Sequence, residues 1–310
     1  MIFKTLLDKL QNNSYITLET TPEHSATFNP VIEKLEALGL GDKFDGFTTT
    51  DNPLAKMKYN AILAAIKLQQ AFNKPVLATM SMRDKNIIAL QSDMLGANDF
   101  DIRSFLFVTG DPAHMSDQPG AKGVFEANSI QLLNMVKYFN AGIDFAGKKI
   151  NTPPKQIFPF AVSNSYAKNM KTLQKKMAKK IENGALGLVT QPVYDIENAK
   201  ELLLLFNEAK DPYNKSGDER AKAQIIFGIF PITRLKTAQF LASHVPGIHV
   251  PNSWIDALFE ANKISDDEEY KVGIELSKKL FRDIHELHPK IHLMTANKFD
   301  IAKILINEVR

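Results

Sequence analysis

The sequence predicts an α/β chain closed into a (β/α)8 TIM barrel, one domain over residues 1–310 with a short N-terminal helix. Three observations carry this expectation. Strand-like and helix-like runs alternate about eight times. The length of 310 residues suits a barrel, a class that reaches roughly 250 residues and more as one domain. The glycine signatures of the competing open nucleotide-binding sheet are missing. LETTPEH after the first strand has no G-x-G-x-x-G, and no G-x-x-x-x-G-K-[ST] occurs anywhere. Alternation of this kind implies parallel strands joined by right-handed crossovers.

The elements follow in order. MIFKTLLDKLQNN has apolar residues broken by Lys4, Asp8 and Lys9, the pattern of a short amphipathic helix rather than a signal peptide. Tyr15–Glu19 is the first strand. Residues 30–40 form a helix with Val31, Ile32, Leu35 and Leu38 on one side. The second strand spans 44–50, and a long helix is expected over 54–72. PVLATM (75–80) is the third strand, followed by a helix over 86–95. SFLFVT (104–109) is the fourth, stopped by Gly110, Asp111 and Pro112. A helix over 128–140 and a strand over 157–162 come next. The lysine-rich helix 167–183 is closed by Gly184, a common helix stop. Strand six covers 186–190, a helix 196–210, and strand seven 224–230. A helix over 236–243 and two more within 251–285 precede strand eight (291–294) and a closing helix (299–309). Two connections are long. GDPAHMSDQPGAKGVFE (110–126) follows strand four and is a functional candidate by position. DPYNKSGDERA (211–221) is expected as an exposed loop on the opposite face.

Composition narrows the function. With 44% apolar and 24% charged residues the chain is globular rather than disordered or fibrous. Zero cysteines remove disulfide frameworks, thiolate zinc sites, iron–sulfur clusters and cysteine nucleophiles together. A net charge of +3 is compatible with an anionic small ligand but is no nucleic-acid signature. No apolar run nears the roughly 20 residues of a membrane span. The expected setting is cytoplasmic, with no nucleic-acid or membrane partner.

In a barrel, chemistry gathers where strands end at the C-terminal face. The polar residues there are Glu19 on strand one and Thr48, Thr49, Thr50 and Asp51 on strand two. Strand three gives Thr79, Ser81, Arg83, Asp84 and Asn86. Strand four gives Asp111, strand five Ser163 and Asn164, strand six Thr190 and Gln191. Strand eight ends near Thr295, Asn297 and Lys298. A carboxylate half-buried at such a mouth can hold a proton near neutrality and act as an acid. A strand-end Glu19 paired with a lysine is the alternative. Asp111, before Pro112, equally suits a turn, and Gln191 could serve backbone groups only. His285, His288 and His292 in HELHPKIH lack a clear fourth ligand, and Pro289 breaks the helix between them. A solvated surface is the expectation there, with no metal site. Lys175, Lys176, Lys179 and Lys180 form a basic stripe, mostly solvated, from which one or two could meet a phosphate. Trp254 is expected to pack in the core.

Seven segments together resemble one family. They are LETTP (18–22), RDKNIIALQSDMLGA (83–97), FVTGDPA (107–113), NGALGLVTQPVYD (183–195), FGIFPI (227–232), PGIHVP (246–251) and MTANK (294–298). Their order resembles the methylenetetrahydrofolate reductases, flavin-dependent barrel enzymes, from about Ser14 to Ile306. The RDKN, VTGDP and TQPVYD forms are most similar to the branch also found fused to a homocysteine methyltransferase domain, which is absent here. The resemblance implies Glu19 as general acid and Asp111 as the aspartate beside flavin and folate. It implies Gln191 as the pterin contact. Thr48, Thr49, Asp51, Thr79, Gly110, Asp111, Asn164 and Lys180 fall where the family holds FAD. Lys298 falls where an arginine commonly lies near the folate, and Thr237 where some members have a folate-contacting glutamine. The chain departs from the family at Thr20, Thr21 and Glu23, at Thr79 in place of a common histidine, and at Thr109 in place of an arginine.

The implied reaction reduces 5,10-methylenetetrahydrofolate to 5-methyltetrahydrofolate with NAD(P)H. It is a ping-pong hydride transfer through FAD, with FMN as the second choice. The ring is opened by a proton from Glu19 to N10, giving a cation that negative charge at Asp111 would stabilise. Methionine biosynthesis is the implied context, and a homo-oligomer the expected assembly. A pterin-dependent methyl transferase barrel without flavin and a partner-dependent non-catalytic subunit are the alternatives.

Overall fold

The computed structural model describes residues 2–126 and 128–310; Met1, at the head of the expected first helix, and Ala127 lie outside them. Eight parallel strands close in sequential order into a barrel. They are β1 (Tyr15–Thr20), β2 (Gly46–Thr49), β3 (Val76–Ser81), β4 (Ser104–Val108), β5 (Phe158–Ser163), β6 (Gly187–Pro192), β7 (Gln224–Ile229) and β8 (Lys290–Leu293). The helices are α1 (Ile2–Asn12), α2 (Asn29–Ala37), α3 (Ala61–Phe72), α4 (Ile87–Asp99), α5 (Ser129–Asn140), α6 (Met170–Glu182), α7 (Ile196–Ser216), α8 (Leu235–His244), α9 (Asn252–Ile264), α10 (Asp266–Leu287) and α11 (Phe299–Ile306).

Strand alternation splits the apolar residues into two cores. Ile16 and Leu18 of β1 join Phe47, Phe105, Phe107, Phe227 and Ile291 against the outer helices. The inward residues Tyr15, Leu77, Leu106, Phe158, Phe160, Val189 and Ile226 fill the lower barrel, where Phe3, Leu6 and Leu10 of α1 plug it. That is why α1 is amphipathic. Phe160 lies against its register partner Gly187 on β6, where an added Cβ would fall 2.3 Å from its ring. Apolar filling stops below the upper barrel, where Thr17, Thr48 and His292 are buried instead.

Two expected boundaries move furthest. The helix expected from residue 54 begins at Ala61, because the Asn60 side chain accepts from the Ile62 and Leu63 amides and caps it. Residues 53–55 form a separate 3-10 turn with Leu54 and Ala55 in the left-handed region. The segment expected as a loop from residue 211 is helical to Ser216. α7 runs through Pro212 and stops at Gly217, at φ +67°. The proline sits in the exposed last turns, where Lys215 pairs with Asp211. Trp254 packs edge-on to Tyr194 at 5.4 Å.

The histidines do not form a solvated stripe. His288 packs edge-on to Phe227 at 5.7 Å and donates from Nε2 to the Ile225 carbonyl at 3.0 Å. Burial, with Lys290 and Lys210 nearby, pushes its pKa down to about 4 against the pull of that carbonyl. Between pH 6.5 and 4 the unfolded chain therefore takes up a proton that the folded chain refuses. Thermal melts should show stability falling as pH drops through that window, and His288→Gln should flatten the fall. An unchanged acid slope in the variant would remove His288 as the cause. His292 lies inside the barrel, since in β8 Lys290 and His292 take one side and Ile291 and Leu293 the other. Among the described residues no group of His, Asp or Glu is placed to hold a metal ion. No helix there is long and apolar enough to cross a membrane.

Candidate active site

The C-terminal ends of the strands surround a cavity of about 480 Å³. Glu19 enters from β1, Thr50 and Asp51 from the end of β2, Thr79 and Arg83 from β3 and its loop. Gly110 and Asp111 follow β4, Asn164 follows β5, Gln191 is on β6, and Lys176 and Lys180 reach in from α6. Of the residues to which the family resemblance gives a role, Glu19, Asp51, Thr79, Gly110, Asp111, Asn164, Lys180 and Gln191 are thus brought together. Four are not on the lining. Thr49 faces outward, its hydroxyl donating to the Ala61 carbonyl of α3. Thr48, its neighbour in the alternation, is fully buried inside the barrel. Thr237 lies half-buried on α8, and Lys298 is exposed at the start of α11.

Glu19 has His292 below it. His292 Nε2 lies 3.6 Å from Glu19 Oε2, and its Nδ1 is 2.9 Å from Thr17 Oγ1. When Thr17 donates to Nδ1, the ring hydrogen sits on Nε2, aimed at the carboxylate. Thr17 and Glu19 are two residues apart on one strand and so share the inner face. His292 was hidden in the sequence by its place in HELHPKIH. The signal that finds it is the two-residue period of β8.

The Gly110–Asp111 turn is built by close approach. Gly110 has φ +94°, and a Cβ there would fall 2.3 Å from Ser81 Oγ. The turn aims Asp111 across the mouth, where Oδ2 accepts from the Leu54 amide at 2.6 Å. Arg83 is buried beside it. Its Nε and Nη2 donate to Asp84 at 2.6 Å each, and Nη2 also donates to the Asn52 carbonyl at 2.9 Å. Burial would raise the Asp84 carboxyl, but the Arg83 and Asn52 hydrogen bonds outweigh it and hold its pKa below the ordinary range. Asp51 is the opposite case. Burial pushes its pKa up, although Lys85 and the Ser81 amide, 2.9 Å from Oδ2, pull it down.

Lys180 donates to the Val162 carbonyl and has no carboxylate partner among the described residues. Burial, then Lys176, lowers its pKa to about 8. Gln191 rests on the 246–247 segment. With its amide turned to donate, the nitrogen lies 3.1 Å from the Gly247 carbonyl and 3.3 Å from that of Pro246. Gly247, at φ +86°, has no Cβ because one would meet Asn164 and Gln191 at 2.5 Å. Asn297 ties the mouth shut behind Glu19, exchanging hydrogen bonds with the Thr21 backbone at 2.9 and 2.7 Å.

The methylenetetrahydrofolate reductase family model matches residues 4–309. The chain belongs to that family. A comparison with curated protein sequences returns no match. Among solved structures, an uncharacterized protein from Clostridium thermocellum, described as binding two copies of 5-methyl-5,6,7,8-tetrahydrofolic acid, is similar with a TM-score of 0.61 at 14% identity. The match covers 99% of this chain and 98% of that one. DmoA from Hyphomicrobium sulfonivorans aligns with a TM-score of 0.55 at 9% identity, over 95% and 86%. The EDTA monooxygenase EmoA from Chelativorans sp. BNC1 gives 0.54 at 11%, over 96% and 92%. At these identities the three share the barrel fold with this reductase-family chain.

Proposed function

We propose that this chain is a cytoplasmic, single-domain flavoprotein, homo-oligomeric in solution, that reduces 5,10-methylenetetrahydrofolate to 5-methyltetrahydrofolate with NAD(P)H. The observation that carries the reading is one cavity holding an acid on β1, an aspartate after β4 and an amide on β6. Family membership and the folate bound by the Clostridium protein support it.

The residues present fit a flavin dinucleotide. The Thr50 hydroxyl on the lining is buried with no partner among the described residues, so a polar ring edge would satisfy it. Gly110 leaves bare backbone beside Asp111. Lys176 and Lys180 supply cationic ends for a pyrophosphate, and Asp51, Thr79 and Asn164 complete the polar wall. When bound, the flavin supplies hydride transfer from nicotinamide to the folate methylene carbon.

The chain's own residues do the rest. Glu19 supplies the proton that goes to N10 and opens the five-membered ring, with His292 lying beneath its carboxyl. Asp111 faces the resulting cation across the mouth of the cavity with a fixed negative charge. Gln191 offers an amide to the donor–acceptor edge of the pterin. Thr237, on α8 after β7, and Lys298, at the start of α11 after β8, would meet the distal part of the folate.

Lys180 gives the phosphate end a pH signature. A neighbouring phosphate raises its pKa above the value of about 8 in the free protein. Binding should therefore take up a proton above pH 8, and FAD affinity should weaken as pH rises. Calorimetry of FAD binding in two buffers of different ionisation enthalpy reads this. Lys180→Met should weaken binding and abolish the uptake; undiminished uptake would remove Lys180 from the site.

The deciding experiment is an anaerobic visible spectrum of the purified protein. A yellow protein that bleaches with NADH and regains colour with methylenetetrahydrofolate establishes both half-reactions. A colourless protein that binds the folate and cannot be reconstituted with FAD replaces this reading with a methyl transferase.

A further inference from the structure

A second cavity, of about 490 Å³, opens at the opposite end of the barrel from Glu19. It lies where the chain enters β5, β6 and β7, roofed by α1 and walled by the end of α5. Its floor is apolar. Val136, Ile157, Phe158, Ala185 and Ala223 are buried there, and Leu7 of α1 overhangs them. The volume lies in the range of small-molecule sites, roughly 300–1,000 Å³.

Two cations converge at its edge. Lys137 Nζ donates to the Glu182 carbonyl at 3.2 Å, and Arg220 Nη1 lies 3.5 Å from the same oxygen. Arg220 is fixed by Asp218, at 2.8 and 2.6 Å, and by the Tyr213 ring 4.2 Å away. Lys137 has no carboxylate partner among the described residues. Its stem is pinned over Gly184, where an added Cβ would lie 3.2 Å from Lys137 Cε. Burial, then the charge of Arg220, lowers the Lys137 pKa. The acids on the rim are already engaged. Glu219 pairs with Lys222, and Asp8 accepts from Asn12 and Asn13. Of the nearby acids, Glu182 acts through space on both cations without an ion pair to either among the described residues, so Lys137 and Arg220 stand side by side at the edge of an apolar floor.

We propose that this cavity binds a small organic anion with a flat or aliphatic apolar body, its carboxylate between Lys137 and Arg220. The body removes apolar surface from water, and the anion relieves the crowding of the two cations. None of the residues used here lines the Glu19 cavity, so the two sites are distinct.

The probes are 2-naphthoate and its neutral counterpart 2-naphthamide, titrated calorimetrically into the full chain. Naphthoate should bind one to one and at least tenfold more tightly than the amide. Lys137→Met should erase that preference and leave naphthamide binding as it was. Leu7→Trp should block both ligands by filling the cavity. Arg220→Gln offers a second test of the charge should the tryptophan disturb α1, as circular dichroism would show. Lys180→Met, at the other end of the barrel, should change neither affinity. Equal affinity for the two probes, or naphthoate binding lost in Lys180→Met and kept in Lys137→Met, would overturn the proposal.

Discussion

Glu19→Gln is expected to leave flavin reduction by NADH intact and to slow folate reduction by about two to four orders of magnitude, the usual worth of a positioned general acid. The amide keeps the size and the hydrogen-bonding reach of the carboxyl, so His292 and Thr17 can stay in place below it. What it loses is the transferable proton. Stopped-flow reading of the two half-reactions separates these effects: bleaching by NADH at the parent rate, recovery with methylenetetrahydrofolate nearly stopped. Full folate turnover in the variant would sink the assignment of Glu19. Equal slowing of both halves would instead mean that the substitution disturbs the flavin site.

Gly228→Ala should be the most damaging single-methyl change at the mouth. An added Cβ on β7 would lie 2.2 Å from the Thr190 carbonyl oxygen and 2.8 Å from Met294 Cε. The first obstacle is backbone and cannot rotate away. The β6–β7 register already shifts between Val189 and Pro192, where the Gly228 amide donates to the Thr190 hydroxyl at 2.9 Å. Forcing the strands apart there should cost about 2–3 kcal/mol and displace Gln191, one residue beyond Thr190. The expected result is a lower melting temperature together with weakened folate binding. Gly96→Ala is the internal comparison. It lies in α4 with nothing within 4 Å of the added methyl, and it should stabilise by about 0.5–1 kcal/mol. Destabilisation by both, or by neither, would contradict the packing argument.

The barrel was legible in the sequence because alternation of strand and helix, with glycine and proline between, is a local pattern. So was the level of the site, since strand-end polar residues are found by counting along each strand. Glu19, Asp111 and Gln191 stand out that way because each ends an apolar run. The helix starting at Ala61 rather than residue 54 was hidden, because a side-chain cap at Asn60 decides it and the apolar spacing alone does not. The extension of α7 through Pro212 was hidden for a related reason. Proline is a strong local stop, and only the exposure of that turn lets the helix continue.

What the sequence determined by itself is the fold class, the absence of thiol chemistry and the short list of polar residues at strand ends. The tertiary structure decided which of those face one another. Closure of the barrel carries His292 from β8 to Glu19 on β1, 273 residues apart in the chain, and turns Thr49 outward to α3. It buries Lys180 without a carboxylate partner among the described residues and so sets the lysine's pKa. It also sets Lys137 beside Arg220 at the far end of the barrel. The reason is physical. Which face a side chain takes follows a local period of two, but which side chains meet across the barrel depends on closure, a relation between strands that no stretch of sequence contains.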